Sequence, residues 1–349
     1  MRANKSWWLL CLIAVGAALL GGLIYVSGPG QVLDNLMAVG LWGFLAVLGN
    51  VLCSLVAWLI SWGILLRGAG IRVSWSGLGV ALVSGYSISY LTPSMYLGGE
   101  PVRAYLVSKR AGVPMARVMA TVVVERLLAG VALLLFASLG GFFVLISPQL
   151  TLADKRAVGI TLGIMAGFLG LAIFSFARNY HWISRLIRVL ARILPGRGKL
   201  LRAAAKVSET EQEIFHAFTK HLACTAAAFV FQILAVFFNY LRPQVFFYFT
   251  HKTLFSAPQL SLYFTLNAFL TAFFWITPGG MGIAEGGRMG IFSLLGIRAS
   301  GALAFSVMYR VAELAFVALG IYLLLQQGLV RLRAGRVEVK TESGVNRNA

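Results

Sequence analysis

The chain has 349 residues, 59% of them hydrophobic and only 12% charged. A typical soluble domain is about 25% charged, and a soluble fold of this length could not cover so much apolar surface, so the composition points to a polytopic membrane protein. Thirty Lys and Arg against eleven Asp and Glu leave a formal charge of +19. In a soluble domain this would suggest nucleic acid. In a membrane protein it first reports which side of the bilayer the positive residues occupy, and no nucleic-acid partner is expected.

The rare residues exclude further classes. Cys11, Cys53 and Cys224 all lie in apolar runs, an odd count with no metal-ligand spacing. Asp34 and Asp154 are the only aspartates, so the carboxylate clusters that hard cations require do not occur. Neither a phosphate-cradling Walker loop nor a G-x-S-x-G nucleophile turn is found. No metal, no cofactor and no catalytic residue is expected.

A bilayer core takes about 20 apolar residues of helix. In chain order the first such run is Trp7–Ser27, after Arg2 and Lys5. It is longer than the roughly 7–15 apolar residues of a signal peptide and reads as an anchor. Ala38–Leu66 is a second span. Ser74–Leu91 is apolar but runs into T-P-S-M-Y-L-G-G-E-P-V-R-A-Y-L. Val118–Ile146 and Ala157–Ala177 are full spans. A basic stretch, 178–221, follows, amphipathic around Trp182, Ile183, Leu186, Ile187 and Leu190. It suits either an ordinary positive loop or a segment lying on anionic lipid. Leu222–Leu241 is the fifth span. Pro258–Ile276 is apolar but runs into T-P-G-G-M-G-I-A-E-G-G-R-M-G-I-F, and Ser300–Leu325 is the sixth span. The tail from 328 to 349 is polar and expected to be loose.

Pro and Gly break a helix, and lipid cannot hydrogen-bond the freed backbone. The segments 74–108 and 258–297 are therefore expected to be re-entrant hairpins, each a helix, a break at membrane depth and a returning half-helix. The expected fold is an all-α membrane bundle: six full spans and two broken-helix hairpins in one domain, 1–327. With the N-terminus inside, 21 Lys and Arg fall on the cytoplasmic side and 5 outside, Arg242 among the latter, which places both termini in the cytoplasm.

The breaks share a pattern. Thr92-Pro93, six residues, Glu100, two residues, Arg103 repeats as Thr277-Pro278, six residues, Glu285, two residues, Arg288. Each is followed by a span with charges near its start: Glu125 and Arg126, then Arg310 and Glu313. Since the hairpins enter from opposite faces, this reads as an inverted repeat with a binding site near the midplane. Gly98-Gly99 and Gly279-Gly280 permit the sharp turns. Each returning half-helix aims its N-terminus, a place for phosphate, at membrane depth. Arg103, Arg126, Arg288 and Arg310 are the expected anion contacts. Glu100 and Glu285 are expected to hold the arginine three residues on, and Glu125 and Glu313 to join the same polar set. Thr92 and Thr277 are expected to brace the breaks. Tyr86, Tyr90, Phe273, Phe274 and Trp275 are expected to pack rather than cage a ligand. His181, His216, His221 and His251 are expected to be solvated. Four Arg and four Glu at depth would sum to zero.

At these residues the chain resembles the flippase-like, lysylphosphatidylglycerol synthase transmembrane family. The resemblance rests on T-P-x6-E-P-V-R-A-Y-L, V-E-R-L-L and T-P-G-G-M-G-I-A-E, and extends over about residues 7–327. Ser94 stands in the first break where the second has Gly279, a departure that would stiffen it. In bifunctional members, the resemblance implies, a membrane domain moves aminoacylated phospholipid between leaflets and a separate soluble domain makes it. This chain ends soon after its last span, so it is expected to be a flippase or transporter of a lipid with an anionic or phosphate-linked head group in the cytoplasmic membrane, and not a synthase. Two alternatives stay open: a membrane transferase acting on a phospholipid or polyprenyl-phosphate, and a non-transporting partner of an envelope enzyme. Gly-rich helices also allow a homodimer.

Overall fold

Apolar runs that cannot leave their backbone unpaired in lipid become helices, and they do so throughout this chain. The computed structural model describes residues 3–92, 98–146, 151–193, 197–273 and 277–345, and among them no strand occurs. The first helices are α1 (Ala3–Val26), α2 (Pro29–Ala38), α3 (Gly40–Gly68), α4 (Trp75–Leu91) and α5 (Glu100–Ala111). Next come α6 (Met115–Ile146), α7 (Leu152–Ala177), α8 (Trp182–Ile193), α9 (Arg197–Thr219) and α10 (Leu222–Tyr240). The last are α11 (Arg242–His251), α12 (Ala257–Phe273), α13 (Ile283–Leu294) and α14 (Ala299–Val345).

Gly40–Gly68, Met115–Ile146, Lys155–Ala177, Leu222–His251 and Ala299–Gln327 are each long and apolar enough to cross a bilayer. The lipid-facing character is plainest on α7. It presents Ile160, Ile164, Phe168 and Leu171 outward, each more than 60% exposed, a stripe that water would not tolerate at this size. The expected first span corresponds to α1, but the chain then turns by 91° into α2. Gly28 at φ 83° makes the corner and Pro29 opens the new helix. The fifth span does not stop at Leu241. Pro243 sits in the first turn of α11, where its missing N–H is not needed, and the apolar stretch runs on to His251. The tail expected to be loose continues α14 to Val345.

Small and hydroxylic residues set how closely the long helices approach. Asn50, Ser54 and Ser61 of α3 donate to Phe238 O (3.0 Å), Ala235 O (3.1 Å) and Ala228 O (2.9 Å) of α10. These rungs fix the two helices as an antiparallel pair. Thr265 of α12 donates to Ala137 O of α6 at 2.7 Å. Ser87 of α4 donates to Val317 O of α14 at 2.9 Å.

The basic stretch 178–221 is not an irregular loop: it forms α8 and α9, which pack on each other. Buried Glu211 of α9 accepts the Ile183 N–H at 2.9 Å and so caps the start of α8, as expected of a carboxylate beside free N–H groups. Trp182, Leu186, Val189 and Leu190 stay exposed along one face of α8. His181, expected to be solvated, lies 3.4 Å from Glu211.

Candidate functional site

Both broken segments are built as a helix, a break and a returning short helix. In the first, α4 and α5 close against each other at two glycines. The Gly99 N–H donates to Ser89 Oγ at 2.9 Å, and a Cβ on Gly99 would lie 1.8 Å from the Gly85 carbonyl oxygen. Thr92 donates back to Ile88 O at 2.8 Å. Pro93 lies outside the described residues, as do Phe274 and Trp275.

In the second, a short 3-10 turn, Pro278–Gly280, joins α12 to α13, with Gly279 at φ 60° and Gly282 at φ 82°. Thr277 donates to Met281 O at 2.9 Å across the turn. At the N-terminus of α13, Glu285 Oε2 accepts the Gly282 N–H at 2.7 Å. One of the backbone donors expected to meet phosphate at this helix end is thus held by the chain's own carboxylate.

The charges pair across elements rather than along them. Glu100 was expected to hold Arg103, and Glu285 to hold Arg288, at i,i+3. Instead Glu100 accepts Arg126 Nε at 2.9 Å and Nη2 at 2.5 Å. Arg103 Nη2 meets Glu125 Oε2 at 2.5 Å. Glu285 accepts Arg310 Nε at 2.7 Å. Glu313 accepts Arg242 Nη1 at 2.8 Å. Arg288 donates its Nε to the Asn267 amide oxygen at 3.0 Å, and among the described residues it pairs with no carboxylate. The reason for the crossing is direction. The half-helices end against α6 and α14, and a carboxylate in a first turn reaches a fork on the facing span more easily than a long side chain curling back over its own helix.

The Arg103–Glu125 pair is sealed. Glu125 is 0% exposed and Arg103 1%. The guanidinium lies between the Trp58 and Trp62 rings, 5.1 and 4.7 Å from their centroids, a contact that adds to the ion pair. Trp58 Nε1 and Gln232 Nε2 donate to the other Glu125 oxygen at 2.6 and 3.2 Å. Arg310 is the second knot. Besides Glu285 it donates to Gly279 O at 3.1 Å and to the Tyr90 hydroxyl at 3.3 Å, so one side chain ties the second break to the helix leading into the first. Tyr90, expected to be a packing aromatic, holds this contact.

Three of the eight expected charged residues, Arg126, Arg288 and Glu313, line a cavity of about 510 Å³. This is within the usual range for small-molecule sites, roughly 300–1,000 Å³. The cavity touches α3 from Val51 to Trp58, α6 from Arg126 to Leu133 and α14 from Phe305 to Glu313. Each is near the middle of its span, so the cavity lies at half-height. Arg103, Glu100, Glu125, Glu285 and Arg310 stand outside its lining.

Sequence reasoning missed Arg242, Asn239, Asn267 and the Tyr263 and Tyr309 rings, all in the wall. Hydropathy assigns Arg242 to an outer loop, but it sits 5.1 Å over Tyr309 and faces Glu313. The signal was available in the apolar F-F-Y-F that follows Pro243. With Arg242 moved inward, five Arg oppose four Glu, and the interior sum is +1 rather than zero.

Residues 12–320 match the family described as the lysylphosphatidylglycerol synthase TM region. The chain belongs to this family. Its relatives among curated proteins are UPF0104 membrane proteins. The chain is 35% identical over 116 residues to one from Methanothermobacter thermautotrophicus, covering 33% of this chain and 34% of that protein. It is 25% identical over 194 residues to one from Pyrococcus horikoshii, covering 53% and 56%. It is 35% identical over 102 residues to one from Methanocaldococcus jannaschii, covering 28% and 30%. The matches thus span between about a third and about half of the relatives' length. Family and apolar helices agree that this is a multi-pass membrane protein.

Proposed function

We propose that this protein is a lipid transporter that passes an anionic or phosphate-linked head group across the cytoplasmic membrane while the acyl or prenyl tails stay in the bilayer. The observation that carries the reading is the half-height cavity with three guanidiniums, Arg126, Arg242 and Arg288, and two amides, Asn239 and Asn267, in its wall. An arginine at membrane depth costs several kcal/mol, roughly +2.5 to +3.5 on insertion scales. Such residues are kept where they pair or meet a ligand. Arg forks suit phosphate oxygens, and amides suit the neutral donors and acceptors of a head group.

Alternation is supported by the two breaks. Glu100 holds Arg126 and Glu285 holds Arg310, so each hairpin is tied to the span that follows it. With the T-P-x6-E register this fits an inverted repeat whose halves rock about the cavity. On this reading the Arg310–Tyr90 contact is made in one state and broken in the other. The positive-inside count favours cytoplasmic termini.

The test is reconstitution in liposomes with fluorescent phospholipid, following the fraction of label protected from an impermeant quencher. Wild type should speed transbilayer movement, and Arg288→Ala and Arg126→Ala should each slow it by at least about tenfold while remaining monodisperse. Movement at the wild-type rate in both variants would overturn the proposal.

A further inference from the structure

The charge count around the cavity carries a statement about which head group fits. Arg126 is balanced by Glu100, Arg242 by Glu313, Arg103 by Glu125 and Arg310 by Glu285. Arg288 alone has only neutral partners, the Asn267 amide at 3.0 Å and the Tyr263 hydroxyl. The remaining acids of the chain lie on α2, α7, α9 and beyond residue 327. The segments 93–97, 147–150, 194–196 and 274–276 contain no charged residue at all. The cluster therefore holds one uncompensated positive charge at half-height, and that charge is on the cavity wall.

A guanidinium at half-height with no ionic partner is only partly hydrated by a small cavity, and one opposite charge relieves the remaining cost. A second opposite charge would restore it with the sign reversed. Resting on the lipid-transport reading above, we infer that the site selects a head group with a single negative charge, a phosphodiester, over a phosphomonoester, which carries about −1.5 to −2 near neutral pH, and that Arg288 with Asn267 is the selecting pair. In the bound state a phosphodiester oxygen accepts from the Nη groups of Arg288. Nε stays on Asn267, which keeps the fork aimed into the cavity.

The same counting predicts how selection moves. Asn267→Asp gives Arg288 a carboxylate and brings the cluster to zero, so the preference for a net anion should vanish. Glu313→Gln frees Arg242 and brings the cluster to +2, so the preference should move toward the monoester. Arg288→Gln also gives zero and serves as a second route to the Asn267→Asp result should either variant fold poorly.

The experiment is competitive lipid binding to the purified full chain, read by native mass spectrometry. The probes are phosphatidylglycerol, one phosphodiester charge; phosphatidic acid, a monoester; and phosphatidylcholine, net neutral. Deacylated glycerophosphoglycerol is added as a soluble competitor. Wild type should favour phosphatidylglycerol over both other lipids by at least about tenfold, equivalent to roughly 1.4 kcal/mol. Asn267→Asp and Arg288→Gln should level phosphatidylglycerol with phosphatidylcholine. Glu313→Gln should raise phosphatidic acid by a similar factor. Weak displacement by the soluble ester would assign recognition to the lipid, and full displacement to the head group alone; either leaves the charge rule in place. Equal lipid preferences in wild type and all three folded variants would overturn the charge rule while leaving lipid binding intact. Failure of wild type to hold any of the lipids would overturn the transport reading itself.

Discussion

Removing Arg103 should destabilise the protein far more than removing Arg103 and the Glu125 charge together. Glu125 is 0% exposed and Arg103 1%. In Arg103→Met the Glu125 carboxylate keeps its Trp58 and Gln232 donors at 2.6 and 3.2 Å, but no cation remains opposite Oε2. Breaking a buried pair from one side costs about 3–5 kcal/mol. Losing the two tryptophan faces at 5.1 and 4.7 Å adds about 0.5–2 kcal/mol. Against a total stability of about 5–15 kcal/mol, the single variant should be barely folded. In the double variant Arg103→Met/Glu125→Gln the charge is gone, the introduced amide oxygen still accepts from Trp58 and Gln232, and the thioether side chain fills the slot between the rings. Replacing a buried pair by uncharged groups is often near neutral, the amide NH2 left without an acceptor costs about 1–3 kcal/mol, and the double variant should return to within about 3 kcal/mol of wild type. The assay is thermal unfolding in detergent, with lipid movement measured on the same preparations. A double variant as unstable as Arg103→Met would refute the pair account. A stable double variant that moves no lipid would show that Arg103 or Glu125 touches the substrate, although neither lines the cavity.

Gly99→Ala should abolish folded yield, because its Cβ would sit 1.8 Å from the Gly85 carbonyl oxygen; Gly79→Ala, with nothing within 4 Å, should be silent in the same size-exclusion assay. Tyr90→Phe removes one of the Arg310 acceptors and should cost about 1 kcal/mol of stability; on the proposed alternation it should also change the transport rate by more than its effect on unfolding temperature suggests. In a background with Cys11, Cys53 and Cys224 replaced by serine, Asn239→Cys and Thr271→Cys on the cavity wall should react with a membrane-impermeant thiol reagent at least about tenfold faster than Phe168→Cys on the lipid face of α7. Equal rates at all three positions would mean that the cavity is not water-filled.

Much of the architecture was legible because lipid removes alternatives. A run of about 20 apolar residues has to be helix, and the T-P and Gly-Gly pairs had to break it. α3, α6, α7 and α14 fall close to where hydropathy puts them. The misreadings have local causes. Hydropathy ends the fifth span at Leu241 and counts Arg242 outside, but Pro243 in the first turn of α11 lets the helical run resume. In the 178–221 stretch the amphipathic pattern around residues 182–190 was legible and falls on α8, but the Glu211 cap on α8 depends on a contact 28 residues away. The charged residues themselves stood out, since an ion in an apolar run is rare, but their partners did not. Spacing of i,i+3 favoured Glu100 with Arg103, whereas packing gave Glu100 to Arg126 and Arg103 to Glu125. Sequence spacing reports which residues share a helix face, not which face the next helix presents. For the same reason Asn267, a neutral partner that leaves Arg288 its charge, carried no signal of its own.

The most direct measurement is a density map of the full chain in lipid nanodiscs containing phosphatidylglycerol. The account predicts a phosphate peak in the half-height cavity within about 3 Å of an Arg288 Nη atom, with tails leaving between helices toward the bilayer, and no such peak for Arg288→Gln. A cavity free of phosphate in the folded wild type, with ordered lipid only on the outer faces of the bundle, would contradict it.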